Sequence, residues 1–287
     1  MNIYWMKHIK LYFIISAIVI LPGLYSLINY GLKTSIEFTG GTEVALVLKP
    51  DQKDALLGAL SSKDPQVVSY DNQTLSIKMQ ETSQVEFESI IKNISTASGQ
   101  ILVQGFEVVG PVLGSETLKK TLNALLISSI LLLTYITFAF KKFKYGLCAV
   151  LAMLHDTLVL FGTFSLLGYF FGVEVDLLFV TAVLTILSFS VHDTIVVYDR
   201  IRELSHKIKN ISFEDLVNQS VSETMVRSLN NSLTIIFMLV AMYLLGGEST
   251  KYFSLALLIG TVTGTYSSTF TAAPLLVVWH KLFEKGK

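Results

Sequence analysis

Asp193 and Arg227 are the residues of this chain best placed to do chemistry. Asp193 lies inside an apolar run, 177–197, and Arg227 stands at the head of the next, 229–245. Ionised side chains at membrane depth are costly, so they face a protein interior or a water path and find a partner there. Arg227 is one of three arginines in the chain, and Arg200 and Arg202 lie in the polar stretch between the two runs. A carboxylate takes up and releases a proton, whereas a guanidinium keeps its own. An acid and a base on neighbouring helices can therefore hold a proton, pass it on, or simply neutralise each other, and these two residues alone leave the three readings open.

The same residue types recur upstream. Leu154-His155-Asp156-Thr157-Leu158-Val159 resembles Val191-His192-Asp193-Thr194-Ile195-Val196 at an offset of 37 residues. Asp156 is then either a second relay acid or a carboxylate hydrogen-bonded in place for structure. Histidine is the side chain that titrates near neutral pH, which makes His155 and His192 relay candidates, although a lone histidine in a helix is more often a satisfied packing residue. Hydroxyls at Thr157, Thr194, Ser232 and Thr234 bond to their own backbone or to neighbouring helices. Gly260, Gly264 and Ser267-Ser268 put small residues on one apolar run, which suits close helix contact, and Pro274 predicts a kink.

Other chemistries are disfavoured. Cys148 is the only cysteine, so no internal disulfide and no cysteine-based metal site is expected, and five scattered histidines give no zinc spacing. Phe38-Thr39-Gly40-Gly41-Thr42 lacks the lysine and the strand-to-helix setting of a phosphate loop. Its paired glycines suit a tight exit from the membrane to an outer domain. With no Walker motif, catalytic triad or metal cluster, the expectation is a protein that is not an enzyme and needs no cofactor.

The elements that must position these residues are membrane helices. Of 287 residues, 52% are hydrophobic and 15% charged, and the mean hydropathy is +0.58, values of a polytopic membrane protein. At about 20 apolar residues per crossing, six spans are predicted, at 11–30, 121–140, 146–170, 175–198, 228–246 and 253–279. Lys7 and Lys10 ahead of an apolar core also fit a secretory signal peptide, though no clear small-residue cleavage pattern follows Pro22-Gly23. Lys7, Lys10, Lys141, Lys142, Lys144, Arg200, Arg202, Lys207, Lys209, Lys281, Lys285 and Lys287 fall on one side, which puts both termini in the cytoplasm. The domains read as a first helix at 1–30, an outer domain at 31–118, and a five-helix bundle at 119–287 with a cytoplasmic loop at 199–226.

The outer segment is too long to be structureless. Alternation marks strands at 42–48, 67–70, 74–79 and 101–109, with a turn at Asp71-Asn72. Asp51 and Ser83 are candidate caps of helices ending near 61 and 97, the second closed by Gly99. The order βαββαβ predicts a ferredoxin-like α+β domain. Eleven acids face six lysines across 31–118, so nucleic-acid binding is not expected. In the loop at 199–226, Ser212 with Asp215 reads as a helix start, and Phe213, Leu216, Val217 and Val221 recur at helical spacing. That predicts an amphipathic helix on the cytoplasmic face, serving as a connector or docking a partner.

Five motifs in order carry a resemblance across nearly the whole chain. They are Gly31-Leu32-Lys33-Thr34-Ser35-Ile36-Glu37-Phe38-Thr39-Gly40-Gly41-Thr42, Val109-Gly110-Pro111-Val112-Leu113-Gly114, Val191 through Glu203, Arg227-Ser228-Leu229-Asn230-Asn231-Ser232-Leu233-Thr234, and Gly264-Thr265-Tyr266-Ser267-Ser268 followed by Ala273-Pro274-Leu275. Together they resemble the SecF part of the SecD/SecF family, within the RND transporter superfamily. His192 departs from the family, which often has Asn there. The resemblance implies an auxiliary subunit of the bacterial Sec preprotein translocase in the inner membrane, a six-helix RND-type half that works with SecD. The implied partners are SecD, the SecYEG translocon, YidC and YajC, unfolded exported polypeptides and membrane lipid, with protons as the coupling ion. It assigns proton coupling to Asp193 and Arg227; Asp156, His192, Thr194 and Asp199 are the candidate supporting residues read from the sequence itself. A half RND-type exporter of lipid or small hydrophobic molecules and a passive translocon scaffold are the rival expectations.

Overall fold

Apolar runs and the alternating segment fold separately. One compact unit comprises Met1–Lys33 with Ala124–Lys287, the other Thr34–Asn123. The computed structural model describes residues 4–71, 73–98, 100–208 and 211–284. Asn72 of the expected turn, Gly99 of the expected helix end, and Lys209, Lys285 and Lys287 of the charge pattern lie outside the described residues. In chain order the elements are α1 (Ile9–Asn29), α2 (Ile36–Thr39), β1 (Gly41–Val47), α3 (Pro50–Ala59), β2 (Gln66–Asp71), β3 (Thr74–Met79), α4 (Gln84–Ser98) and β4 (Leu102–Val109). They continue with α5 (Pro111–Phe140), α6 (Phe143–Phe171), α7 (Leu177–Lys207), α8 (Phe213–Leu245), α9 (Glu248–Ser267) and α10 (Ala273–Phe283).

Among the described residues five helical segments are long and apolar enough to cross a membrane: Trp5–Asn29, which is α1 with the 3-10 turn before it, then α5, α6, α7 and α8. The expected span at 253–279 is interrupted. A π turn, Ser268–Ala272, joins α9 to α10, and Pro274 sits in the first turn of α10. Proline has no N–H to give and its ring clashes with the carbonyl four residues back, so the ladder resets ahead of it. The buried Tyr198 hydroxyl donates to the Ala272 carbonyl at 3.1 Å, satisfying an oxygen of the wide turn.

Most of the described residues at 199–226 are helical. α7 runs on to Lys207 and α8 starts at Phe213, because the stretch contains no Gly or Pro and its charges pair at helical spacing. Arg200 pairs with Glu203, and Arg202 with Asp199 at 2.6 Å. Ser212 caps α8 by accepting the Asp215 N–H at 3.1 Å, but the helix continues without a break into the membrane segment. Its apolar face, Leu216, Val217 and Val221, is buried in the same core as Met6, so this face is filled from within the chain.

Small residues bring the helices close. A Cβ on Gly23 of α1 would lie 2.7 Å from the Gly162 Cα of α6, and one on Gly264 of α9 would lie 3.3 Å from the Ser190 Cα of α7. These approaches set the hydroxyls of α1, α7 and α9 around α6.

In the other unit the sheet order is β2-β3-β1-β4, with every pair antiparallel. Val44 and Leu46 of β1 stand opposite Ile77 and Leu75 of β3. All four are buried in a core with Leu56, Leu60, Phe87 and Ile91 from α3 and α4. Burying each such side chain contributes about 1.5–3 kcal/mol. α3 begins one residue ahead of the expected cap: Lys49 takes the cap position, Pro50 the first turn, where its missing N–H costs nothing. The Lys49 N–H is accepted by Gln52 Oε1 at 2.9 Å. Ser83 caps α4, accepting the Glu86 N–H at 3.3 Å.

Candidate functional site

The buried face of α7 repeats at helical spacing through Ile186, Ser190, Asp193, Val197, Ile201 and Leu204. Asp193 is 2% exposed and is turned toward Ser228 of α8. Neither Asp193 Oδ2 nor Ser228 Oγ completes a hydrogen bond. A buried acceptor left in this state costs about 1–3 kcal/mol, and a proton on the carboxyl would turn an idle acceptor into a donor.

Among the described residues Asp193 and Arg227 form no ion pair, against the sequence expectation. The buried stripe of α8 runs through Val217, Val221, Thr224, Ser228 and Ser232. Arg227 precedes Ser228 by one residue, about 100° around the helix, and is exposed. It borders a polar groove of about 320 Å³ with Val196, Asp199, Arg200, Glu203 and Glu223. Arg200 pairs with Glu203 and Glu223, and Lys207 with Glu203 at 2.5 Å. Arg202, besides holding Asp199, donates to the Ala139 carbonyl at 3.1 Å. Asp199 is thus a groove residue, one to two turns beyond Asp193.

The second acid is built differently. Asp156 is 1% exposed and accepts hydroxyls from Ser190 of α7 and Ser267 of α9, each at 2.6 Å, on Oδ2. Its Oδ1 meets His155 Nδ1 at 2.9 Å. His155 Nε2 meets Ser16 Oγ of α1 at 3.0 Å, and Tyr266 of α9 donates to the Tyr12 carbonyl at 3.0 Å. Four helices are tied through one carboxylate.

His192 is exposed, one position off the buried face. Thr194 donates to the Ser190 carbonyl of its own helix at 3.0 Å, and Thr157 likewise to Met153 at 2.9 Å. Thr265 reaches Ser232 across to α8 at 2.6 Å. Gly264, Thr265, Tyr266 and Ser267 therefore act together as the α9 side of the polar interior, and Pro274 follows the π turn. The two glycine motifs meet in the outer unit. Gly40 has φ +76°, a left-handed conformation that favours glycine, and a Cβ there would lie 2.6 Å from the Pro111 Cα. Gly114 closes over Gly40 and the Phe38 carbonyl, Gly110 leads into α5, Phe38 is buried, and Thr39 and Gly41 flank the turn. Sequence reasoning missed Ser16, Ser190 and Ser228, single hydroxyls in apolar helices; the recurrence of Ser190, Asp193 and Val197 on one helical face is the signal that marks the first helix–helix contact. Among the described residues no group of three or more metal-binding side chains comes together.

Residues 88–282 match the family described as protein export membrane protein SecD/SecF, C-terminal. The chain is 42% identical to the protein translocase subunit SecF of Thermobaculum terrenum, over 93% of this chain and 91% of that one. It is 39% identical to SecF of Anaerolinea thermophila, over 94% and 91%, and 38% identical to SecF of Sebaldella termitidis, over 100% and 95%. The crystal structure of SecDF, a translocon-associated membrane protein from Thermus thermophilus, superposes with a TM-score of 0.83 at 28% identity, covering 98% of this chain and 39% of that one. The super-membrane-facing form of SecDF gives 0.72 at 27% identity. The chain is a membrane protein, and it belongs to the SecF branch of the SecD/SecF family of protein export membrane proteins.

Proposed function

We propose that this chain is the SecF subunit of a bacterial Sec preprotein translocase, acting with SecD in the inner membrane to promote late translocation and release of exported polypeptides at the expense of the proton gradient. The observation that carries this reading is Asp193: a carboxyl 2% exposed, with one oxygen unpartnered, in a helix that belongs to an export family. Six spans, both termini in the cytoplasm and a ferredoxin-like outer domain complete the reading; the βαββαβ order and the 2-3-1-4 sheet support the last. SecYEG, YidC, YajC and the unfolded polypeptide are the proposed partners.

In the proposed cycle Asp193 alternates between two states. Ionised, it draws Arg227 inward from the groove. Protonated, it releases Arg227 to the acids of the groove and turns to Ser228, an arrangement that the exposed Arg227 resembles. The membrane potential contributes about 2.3 kcal/mol per charge per 100 mV, enough to bias such an equilibrium. The test is gradient-driven export by membranes carrying Asp193→Asn. Export is expected to fall sharply while the subunit still assembles with SecD; export at the unmodified level would favour a passive scaffold. Arg227→Lys is expected to lose part of the activity, because the charge survives and the forked geometry does not.

A further inference from the structure

The proposed cycle uses Asp193 and leaves the most completely connected titratable pair of the helical unit without a role. Asp156 is surrounded by donors: Ser190 and Ser267 at 2.6 Å and His155 Nδ1 at 2.9 Å. Both hydroxyls can give their hydrogens to it, which keeps the carboxylate an acceptor and places the Nδ1 hydrogen on His155. The other imidazole nitrogen has two options. When Nε2 is bare, Ser16 donates to it across 3.0 Å. When Nε2 carries a proton, it donates to Ser16 Oγ, whose own hydrogen turns to Tyr266 Oη at 3.5 Å, the outer limit of a hydrogen bond. Tyr266 remains a donor to the Tyr12 carbonyl. Both forms of the imidazole thus leave the buried groups partnered, and only one hydroxyl has to rotate.

A cavity of about 260 Å³ between α8 and α9 lies beside both sites, bordered by Ser228, which faces Asp193, and by Tyr266, which lies beyond Ser16; its walls are otherwise mainly apolar, from Leu229, Leu233, Ile236, Val262 and Phe270, so it adjoins the two sites without a polar path between them. Ser232 and Thr265, 2.6 Å apart, sit on the same wall. The titratable groups that stand around His155 and Asp156 are Tyr12 on α1, Asp193 one turn past Ser190 on α7, and Tyr266 on α9; α8 offers hydroxyls only.

We propose that His155 is a second proton-binding residue of this bundle. It takes up one proton at Nε2, keeps Asp156 as its permanent counter-ion, and in doing so reverses the hydrogen bond between α6 and α1. Its use in transport rests on the proton-coupled reading above, whereas its protonation does not. The experiment is nitrogen-15 NMR of the histidines in the full chain with SecD in lipid, with the His155 signal assigned by its loss in His155→Gln. As pH is lowered, the signal is expected to pass from a ring with one protonated nitrogen to one with two. Ser16→Ala is expected to displace that transition and His192→Gln to leave it in place. A His155 signal of one form at every pH, or a transition untouched by Ser16→Ala, overturns the proposal. In the export assay His155→Gln, whose amide can still donate to Asp156, is expected to lose stimulation by the proton gradient while assembling normally; full stimulation overturns the transport role. Failure of the two readings is separable. Normal export in Asp193→Asn with a titrating His155 defeats the proposed cycle alone, and a blocked Asp193→Asn with a single-form His155 defeats this proposal alone.

Discussion

His155-Asp156-Thr157 on α6 and His192-Asp193-Thr194 on α7 are the same three residue types in the same order, and the fold gives them opposite surroundings. In the first, the acid collects three donors from three helices and its histidine is buried beside it. In the second, the acid is as deeply buried but has an unpartnered oxygen, and its histidine is exposed. Donors aimed at a carboxylate fix its charge. Burial without donors leaves it free to change state at modest cost. The comparison separates two settings that one sequence pattern does not: Asp156 ties helices together, and Asp193 keeps an unpartnered oxygen, as the proposed cycle requires.

That contrast is open to direct attack through stability. Asp156→Ala takes the acceptor away from Ser190, from His155 Nδ1 and from the shorter bond of Ser267, which keeps only the Gly264 carbonyl at 3.3 Å, and is expected to lower unfolding stability in detergent by about 3–5 kcal/mol. Asp193→Ala removes an oxygen that already lacks a partner and breaks no completed bond of Ser228, and is expected to cost less than about 1 kcal/mol. Equal losses in the two variants, read by chemical denaturation, would erase the distinction. Gly162→Val comes next: its side chain enters the α1–α6 contact, where even an added Cβ would stand 2.7 Å from the Gly23 Cα. A loss of about 1–3 kcal/mol is expected, with His155 detached from Ser16, detectable as a changed imidazole signal.

The smallest expected effect lies where α10 ends beside the start of α6. Glu284 accepts from the buried Lys144 at 2.7 Å and lies 2.8 Å from His280 Nδ1. Burial raises the pKa of this carboxyl, but its bonds to Lys144 and His280 outweigh that and hold it below the usual carboxylate range. The stability from this clamp is therefore present above the ordinary carboxylate pKa and is lost as pH falls through the lowered one. With Glu284 at the surface it amounts to less than about 1 kcal/mol. Glu284→Gln is expected to flatten the acid limb of the stability curve by that amount; an unchanged limb would mean the clamp carries no stability.

Much of the architecture was legible in sequence because it rests on local rules. The strand alternation at 74–79, the Ser83 and Ser212 caps and the small residues at Gly260 and Gly264 are all read from neighbouring positions. The continuity of α7 and α8 with the membrane helices is not, because polarity at 199–226 reads as a loop holding one separate amphipathic helix from Ser212, whereas charge pairs at helical spacing carry α7 on to Lys207. The lack of an Asp193–Arg227 ion pair among the described residues has a rotational reason. Arg227 and Ser228 differ by one residue, and only the neighbouring helix decides which of the two faces the bundle. The Asp156 hub was half visible: the acid and His155 stood out, but Ser16, Ser190 and Ser267 come from helices far apart in sequence and are ordinary serines until packed.

The central claim, that Asp193 changes protonation and Asp156 does not, is tested most directly by infrared difference spectroscopy of the chain with SecD in lipid, stepping pH across the working range. A protonated-carboxyl band that vanishes in Asp193→Asn and persists in Asp156→Asn is the expected result. A band that follows Asp156 instead, or no carboxyl band at any pH, would contradict the account.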